Sequence, residues 1–318
     1  MRKSDYLRKN GVQSLYHFTH IFNVPFIAKH GLLSKRLLRQ NRLWEEIIPG
    51  GNEISQNEDA KKGNDPYVSL AYTPYFPMAY YRKREHHICF LEIDLGVVDE
   101  DGVVFTRGNA TSSEHSRDSN PSAVLNSSDI GTILAGPPDR HSPAWDYWHD
   151  ISQSEVLVPG RVDSSAVRRC FVLTKDALEI TKDALEISSI NDSPFPVKID
   201  PKIFYDKPAD NRVRFSYAHD LRIDGTVAAF RISGDPLRIL CKLELLLFSG
   251  PRLENLGLIR KIIKDSERKP KAAGRPNEFS GSKASILLNE LPPGKYTAFL
   301  YSHRGKNIIP WSLKEFQT

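Results

Sequence analysis

Residues 15–20 read Leu15-Tyr16-His17-Phe18-Thr19-His20, and Ile21 to His30 follow before Gly31. Tyr16 and Phe18 alternate with His17 and Thr19, the period of a strand with one polar face. From Ile21 the period changes. Ile21, Val24, Phe26 and Ile27 are the apolar positions, Pro25 fits only a first helical turn, and Gly31 stands where a helix ends. Residues 15–31 therefore read as a strand that turns directly into a helix.

Working outward, Tyr67–Tyr72, His87–Leu95, Val103–Thr106, Glu155–Val158 and Val167–Thr174 read as further strands. Residues 35–66 are polar, punctuated by Pro49-Gly50-Gly51 and Gly63-Asn64-Asp65-Pro66, and read as a long loop of the kind that carries function. Residues 107–143 are rich in Ser, Asn, Asp and Pro and predict loop with at most short helices. Thr174–Ile180 reads TKDALEI, and Thr181–Ile187 repeats it. Two heptads are too few for a coiled coil, so a tandem duplication lengthening one linker helix is expected. The turn cluster Asn191–Pro196 marks a boundary, giving units at 1–173, 174–195 and 196–318. The last is expected to be β-rich, with strands at Arg212–Ala218, Thr226–Ile232, Leu237–Phe248, Ala284–Leu288 and Lys295–Ser302 and a helix at Leu253–Ser266.

The 318 residues carry 44 Lys+Arg and 39 Asp+Glu, a net of +5. Residues 1–200 hold 23 basic and 27 acidic side chains, a net of −4, whereas residues 201–318 hold 21 and 12, a net of +9. That asymmetry favours an anionic partner, and the densest cations fall at residues 260–275. Three dispersed cysteines and no CxxC pair exclude the usual zinc spacing and a disulfide scaffold, and fit a reducing, cytoplasmic setting. His86, His87 and Cys89 make no full ligand set, so no metal is expected. The basic, polar start predicts no signal peptide, and no apolar run reaches the ~20 residues of a membrane span. P-loop, GxGxxG, HExxH and GxSxG signatures are absent from the sequence.

Four segments remain: Tyr16-His17-Phe18-Thr19-His20 with Asn23 and Gly31-Leu32-Leu33-Ser34; Tyr67–Pro74 with Phe76-Pro77-Met78; Phe105-Thr106-Arg107-Gly108-Asn109-Ala110; and Ser154-Glu155-Val156-Leu157-Val158. In order and spacing, over about residues 12–175, they resemble the DarT family of nucleic-acid ADP-ribosyltransferases. The resemblance implies an α+β fold, with a split, twisted antiparallel sheet and flanking helices. It implies transfer of ADP-ribose from NAD, as co-substrate, onto a base of single-stranded DNA or RNA. It also implies a bacterial toxin with a macrodomain-type neutralising partner. Breaking the nicotinamide–ribose bond develops positive charge at the ribose, which a carboxylate can stabilise while polarising a nucleophile.

By resemblance Glu155 is that carboxylate, although a strand-edge glutamate is the plain reading. His17 and Thr19, on one strand face, would contact NAD, against the plain reading of a core histidine. Asn23 either meets the ligand or caps the helix. Tyr67 and Tyr72 are expected at the NAD cleft. Asn109, Arg107, Tyr75 and Tyr80 are expected at the substrate, Asn109 either reading a base edge or serving as a turn residue after Gly108. The sequence departs from the family in having no arginine in residues 43–66, which makes Arg42 the candidate replacement. It also carries Arg107 where the family has aspartate. Modification of protein, plain NAD hydrolysis, or a non-catalytic nucleic-acid-binding module are the alternatives.

Overall fold

The computed structural model describes residues 1–48, 61–75, 88–112, 116–173, 175–188, 190, 192–204 and, between residues 217 and 317, the backbone of eight strands. Contacts divide the chain into two units. The first comprises Met1–Trp44, Pro49–Leu185 and Ile190–Ala209, and the second is mainly Asp210–Thr318.

The described residues of the first unit form ten strands: β1 (Ser14–His20), β2 (Leu32–Leu33), β3 (Tyr67–Ala71), β4 (Ile88–Asp94), β5 (Val104–Thr106), β6 (Arg117–Asp118), β7 (Glu155–Pro159), β8 (Arg161–Val162), β9 (Val167–Val172) and β10 (Val197–Ile199). Eight of them form one mixed sheet in the order β10-β9-β4-β1-β3-β7-β5-β6. The β10–β9 pair is parallel, and the other neighbours are antiparallel. Leu15, Phe90, Leu91, Ile93, Phe105 and Val156 are fully or almost fully buried and make the core. Burying each such side chain stabilises the fold by about 1.5–3 kcal/mol.

The sheet is split at its middle. β1 and β4 share seven register pairs, and β3 and β7 share five. Between β1 and β3 there is only Tyr16↔Ala71. Two well-paired halves are therefore joined at one point, as the resemblance implies.

After β1, the turn Ile21–Asn23 leads into the helix Val24–His30, with Pro25 in its first turn, where a missing N–H costs nothing. Gly31 ends it at φ 76°. A Cβ there would lie 2.4 Å from the Val162 carbonyl oxygen, because Leu32–Leu33 pairs directly with Arg161–Val162. The expected loop beyond it begins instead as a helix, Lys35–Gln40, which Ser34 caps by accepting from the Leu37 N–H at 3.3 Å. Buried Leu38 anchors it. The Ser/Asn/Asp-rich segment holds two helices, Pro121–Val124 and Ser127–Ala135, the second closed by a capping box between Asn126 and Asp129. The aromatic run forms the helix Ala144–Ile151.

The duplicated heptads form one helix, Lys175–Ile187. The equivalent residues of the two copies, Ala177 and Ala184, are both buried, so packing supports a helix that would be marginal alone. The first unit does not end at Asn191–Pro196. Phe195 is buried, β10 adds to the edge of β9, and buried Phe204 meets Phe90 edge-on at 5.0 Å. Apolar residues beyond the turn cluster thus return the chain to the first core, and the unit extends to Ala209.

The described residues of the second unit form eight strands in two four-stranded antiparallel sheets: β11 (Tyr217–Asp224), β12 (Val227–Ser233), β13 (Leu243–Ser249), β14 (Ala273–Gly274), β15 (Glu278–Ser280), β16 (Lys283–Leu287), β17 (Lys295–Arg304) and β18 (Asn307–Gln317). β11 lies later than the expected Arg212–Ala218, and β18 was not anticipated. The helix expected at Leu253–Ser266 lies outside the described residues. No helix among the described residues is long and apolar enough to cross a membrane.

Gly31→Ala should lower stability by about 1–3 kcal/mol, because it combines a left-handed backbone with a clash against the Val162 carbonyl. Thermal unfolding of the full chain would register this as a lower midpoint; an unchanged midpoint would contradict the close approach.

Candidate active site

The split leaves backbone groups of β3 without a strand partner, and side chains meet them. Continuing the ladder from Tyr16↔Ala71 would bring Phe18 opposite Ser69. Instead, the His17 imidazole bonds the Ser69 carbonyl oxygen through Nδ1 at 3.0 Å. A carbonyl only accepts, so Nδ1 carries the proton and Nε2 of the neutral ring is an acceptor. Burial against the sheet pushes the His17 pKa below its ordinary 6.5, partly opposed by the Ser69 bond.

Ser69 also faces the other half of the sheet. Its hydroxyl donates to Glu155 Oε1. Glu155 is half-buried at the start of β7, opposite Ala71, and its Oε2 accepts from the Ala110 N–H at 2.9 Å. Its own N–H donates to the Thr106 hydroxyl at 3.0 Å, and that hydroxyl donates to the Gly108 carbonyl at 2.8 Å. Alternation places Ser69 and Glu155 on one face of the pleat and His17 and Thr19 on the other. Ser69 connects the two groups: carbonyl to imidazole, hydroxyl to carboxylate.

The loop Arg107–Ala110 is tied residue by residue. Gly108, at φ 78°, donates its N–H to Ser154 Oγ at 2.9 Å, and Ser154 Oγ donates to the Ile151 carbonyl at 2.7 Å. Buried Asn64 donates to the Ala110 carbonyl at 3.2 Å and accepts from Arg117. Asn109 behaves as a turn residue: its Oδ1 accepts from the Thr111 N–H and hydroxyl at 2.8 and 2.7 Å, and its amide donates to Gln153 Oε1 at 3.3 Å. Arg107 reaches buried Asp129 at 3.3 Å, which also accepts from the Tyr147 hydroxyl, and lies 3.9 Å from Asp150. Its charge is spent tethering the loop to the two helices that follow.

The remaining sequence-predicted residues divide. Buried Asn23 donates to buried Thr19 Oγ1 at 3.0 Å and makes no capping bond. This pair fixes the turn out of β1. Tyr67 is half-buried opposite Pro159. Tyr72 is only 2% exposed, closed into the core, with burial pushing its pKa far upward. The Tyr75 hydroxyl donates to the Lys202 carbonyl at 3.2 Å. Tyr80 lies outside the described residues. Arg42 is exposed, with a left-handed φ of 60°. Arg39 rather than Arg42 is directed at the entry to β3, pairing with Asp65 while its guanidinium stacks on Trp44 at 5.0 Å. Ser69, Thr106, Ser154 and Asn64 were not singled out from the sequence. Their signal, small polar residues inside apolar strands or at a Gly-Asn-Asp turn, gains meaning only from the register. Among the described residues, no group of three His, Cys, Asp or Glu side chains is arranged to hold a metal ion.

A family model described as "ssDNA thymidine ADP-ribosyltransferase, DarT" matches residues 16–205. No curated protein matches the sequence. Among solved structures, Thermosipho africanus DarTG in complex with ADP-ribose is similar at 21% identity and a TM-score of 0.48, over 61% of this chain and 51% of that one. Thermus sp. 2.9 DarT in complex with ADP-ribosylated ssDNA is similar at 17% identity and a TM-score of 0.47, over 61% of this chain and 97% of that one. The same Thermus protein in complex with NAD+ gives 16% identity and a TM-score of 0.45.

The depressed pKa of His17 has a consequence for stability. As pH falls below 6.5 the unfolded chain takes up this proton before the folded one does. Stability should therefore fall as pH drops from 6.5 to the lower folded value, with a slope of at most about 1.4 kcal/mol per pH unit. Denaturant titrations across that window should show a shallower slope in His17→Gln; an identical slope would place the titration elsewhere.

Proposed function

Because this chain belongs to the DarT family, the ssDNA thymidine ADP-ribosyltransferases, over residues 16–205, we propose that it transfers ADP-ribose from NAD onto thymidine of single-stranded DNA. The observation that carries this reading is the Glu155 carboxylate, held by the Ala110 N–H and the Ser69 hydroxyl where the sheet divides. NAD supplies the ADP-ribosyl group, with nicotinamide as the leaving group. The donor set suits that co-substrate: a ribose presents hydroxyls, and the site presents acceptors, Nε2 of a neutral His17 and the Glu155 oxygens. His17 would bind and orient. Glu155 would hold a hydroxyl and accept the proton that an attacking base must lose. Its two donors keep it oriented without reorganisation during the reaction.

The tied loop Arg107–Ala110 supplies the Ala110 N–H and lies where, by family membership, the substrate base is met. The remaining amide hydrogen of Asn109 is the group there for a base edge. Arg42 would be the cation for the phosphates of NAD, with Arg39, at Asp65, as the nearby alternative. A toxin role and a macrodomain-type neutralising partner rest on family membership.

The test is mass measurement on a thymidine-containing single-stranded oligonucleotide after incubation with NAD. A gain of one ADP-ribosyl group is expected, and its rate should fall by roughly 10²–10⁴ in Glu155→Gln. Ser69→Ala keeps the carbonyl that holds His17 but removes one hydrogen bond to a charged group. At about 1.5–3 kcal/mol, that should lower the rate roughly 10- to 100-fold. Nicotinamide release without oligonucleotide labelling would instead assign a hydrolase, and label on protein a protein-modifying enzyme.

A further inference from the structure

The Glu155 carboxylate takes a backbone donor from Ala110, and Ala110 is itself held at both ends. Its N–H donates to Glu155 Oε2 at 2.9 Å, and its carbonyl accepts from Asn64 Nδ2 at 3.2 Å. Asn64 is buried, and its Oδ1 accepts from the Arg117 guanidinium. A guanidinium only donates and a carbonyl only accepts. The amide therefore has one orientation, oxygen toward Arg117 and nitrogen toward Ala110.

The backbone of Asn64 belongs to another segment. Its carbonyl accepts from the Tyr67 N–H at 2.9 Å, at the entry to β3. β3 carries Ser69, whose hydroxyl is a second donor to Glu155. Asn64 thus ties together the two segments that hold the carboxylate. Register closes the circuit. Thr106, at the end of β5, stands opposite Arg117 on β6, and its hydroxyl accepts from the Glu155 N–H at 3.0 Å. β6 lies three places from β3 in the sheet order, yet Arg117 reaches Asn64 just before β3. Thr106, Arg117, Asn64, Ala110 and Glu155 therefore form one ring of contacts around the head of β5. β5 pairs with β7 through Val104 and Phe105, so side chains rather than that ladder place the residues after Thr106.

We propose that Asn64, oriented by Arg117, is a positioning residue for Glu155 and acts through the backbone of Ala110. The inference deepens the function proposed above and rests on it for the role of the carboxylate. A preorganised donor lowers the barrier only while it stays in place, and a small displacement caused by a residue away from the chemistry costs rate. Asn64 holds the Ala110 carbonyl, so the Ala110 N–H stays directed at Glu155. The charge on Arg117 strengthens the bond that fixes the amide.

The experiment is amide hydrogen exchange of the full-length chain, followed by NMR, beside the rate of oligonucleotide modification. Asn64→Asp keeps the shape of the side chain and an acceptor for Arg117, but turns the donor facing the Ala110 carbonyl into an acceptor. It should speed exchange of the Ala110 N–H on the order of 10-fold, the effect of one buried hydrogen bond lost. Amides of the β1–β4 ladder should exchange as before. The modification rate should fall on the order of 10-fold as well. In the Glu155→Gln background the same substitution should alter the residual rate by less than about 2-fold, because its effect passes through the carboxylate. Should Asn64→Asp fail to fold, Arg117→Met, at an exposed position, removes the donor that orients the amide and should move both readouts in the same direction. Arg117→Lys, which keeps a donor, should restore them. Unaltered Ala110 exchange, or an equal loss of rate with and without the Glu155 carboxylate, overturns the proposal. Faster Ala110 exchange in a chain that leaves the oligonucleotide unmodified keeps Asn64 in this role toward Glu155 and removes the function proposed above.

Discussion

The site depends on one break in a hydrogen-bonded ladder. β1 and β3 meet at Tyr16↔Ala71 and nowhere else in register. A sheet divided there would strand backbone groups in its own interior, where an unpaired carbonyl costs about as much as a lost hydrogen bond. His17 satisfies Ser69 in place of the missing strand pairing. The same bond fixes the tautomer of the ring. Structural satisfaction and chemical readiness are thus one arrangement: an imidazole recruited to repair the sheet becomes an acceptor at the place where the two halves part.

The carboxylate is held by the same logic on the far side of the break. Glu155 receives a backbone donor from the loop after β5 and a hydroxyl from β3, so its position reports the position of both. The loop cannot drift without carrying Ala110 with it. Ser154, Asn64 and Arg107 pin that loop from three directions. The Arg107–Asp129 link ends on a buried carboxylate that the Tyr147 hydroxyl and the Asn126 N–H also hold. Arg107, the departure from the family pattern, thus ties the loop to the helix that begins at Ser127.

What the sequence made legible follows the range of the forces involved. Alternation in Tyr16–Thr19, the proline and glycine that bracket Val24–His30, and the heptad copies are local, and each corresponds to the element expected. The helix Lys35–Gln40 was obscured because its face is mostly charged, although Ser34 at its start was a usable cap signal. Tyr72 looked like a cleft residue from the company of other aromatics, yet aromatic side chains are also the largest available core fillers, and here the core takes it. Ser69, Thr106 and Asn64 were out of reach because their partners lie 86, 49 and 46 residues away. Only strand register, which no local pattern specifies for a short polar residue, brings those partners together. The contacts of Phe195, β10 and Phe204 with the first core are equally non-local, and a Pro/Ser turn cluster shows only where the chain bends.

Charge along the chain takes on a different meaning once partners are known. The net −4 of residues 1–200 does not describe a surface that repels DNA, since several of its carboxylates are engaged. Glu92 is bound by Arg169 and Asp94 by Arg168, both at 2.6 Å, Asp129 by Arg107, and Glu155 by two donors. Exposed charges further apart than about 8 Å are largely screened at physiological salt. The excess of positive charge on residues 201–318 therefore acts mainly on groups that lie close to it.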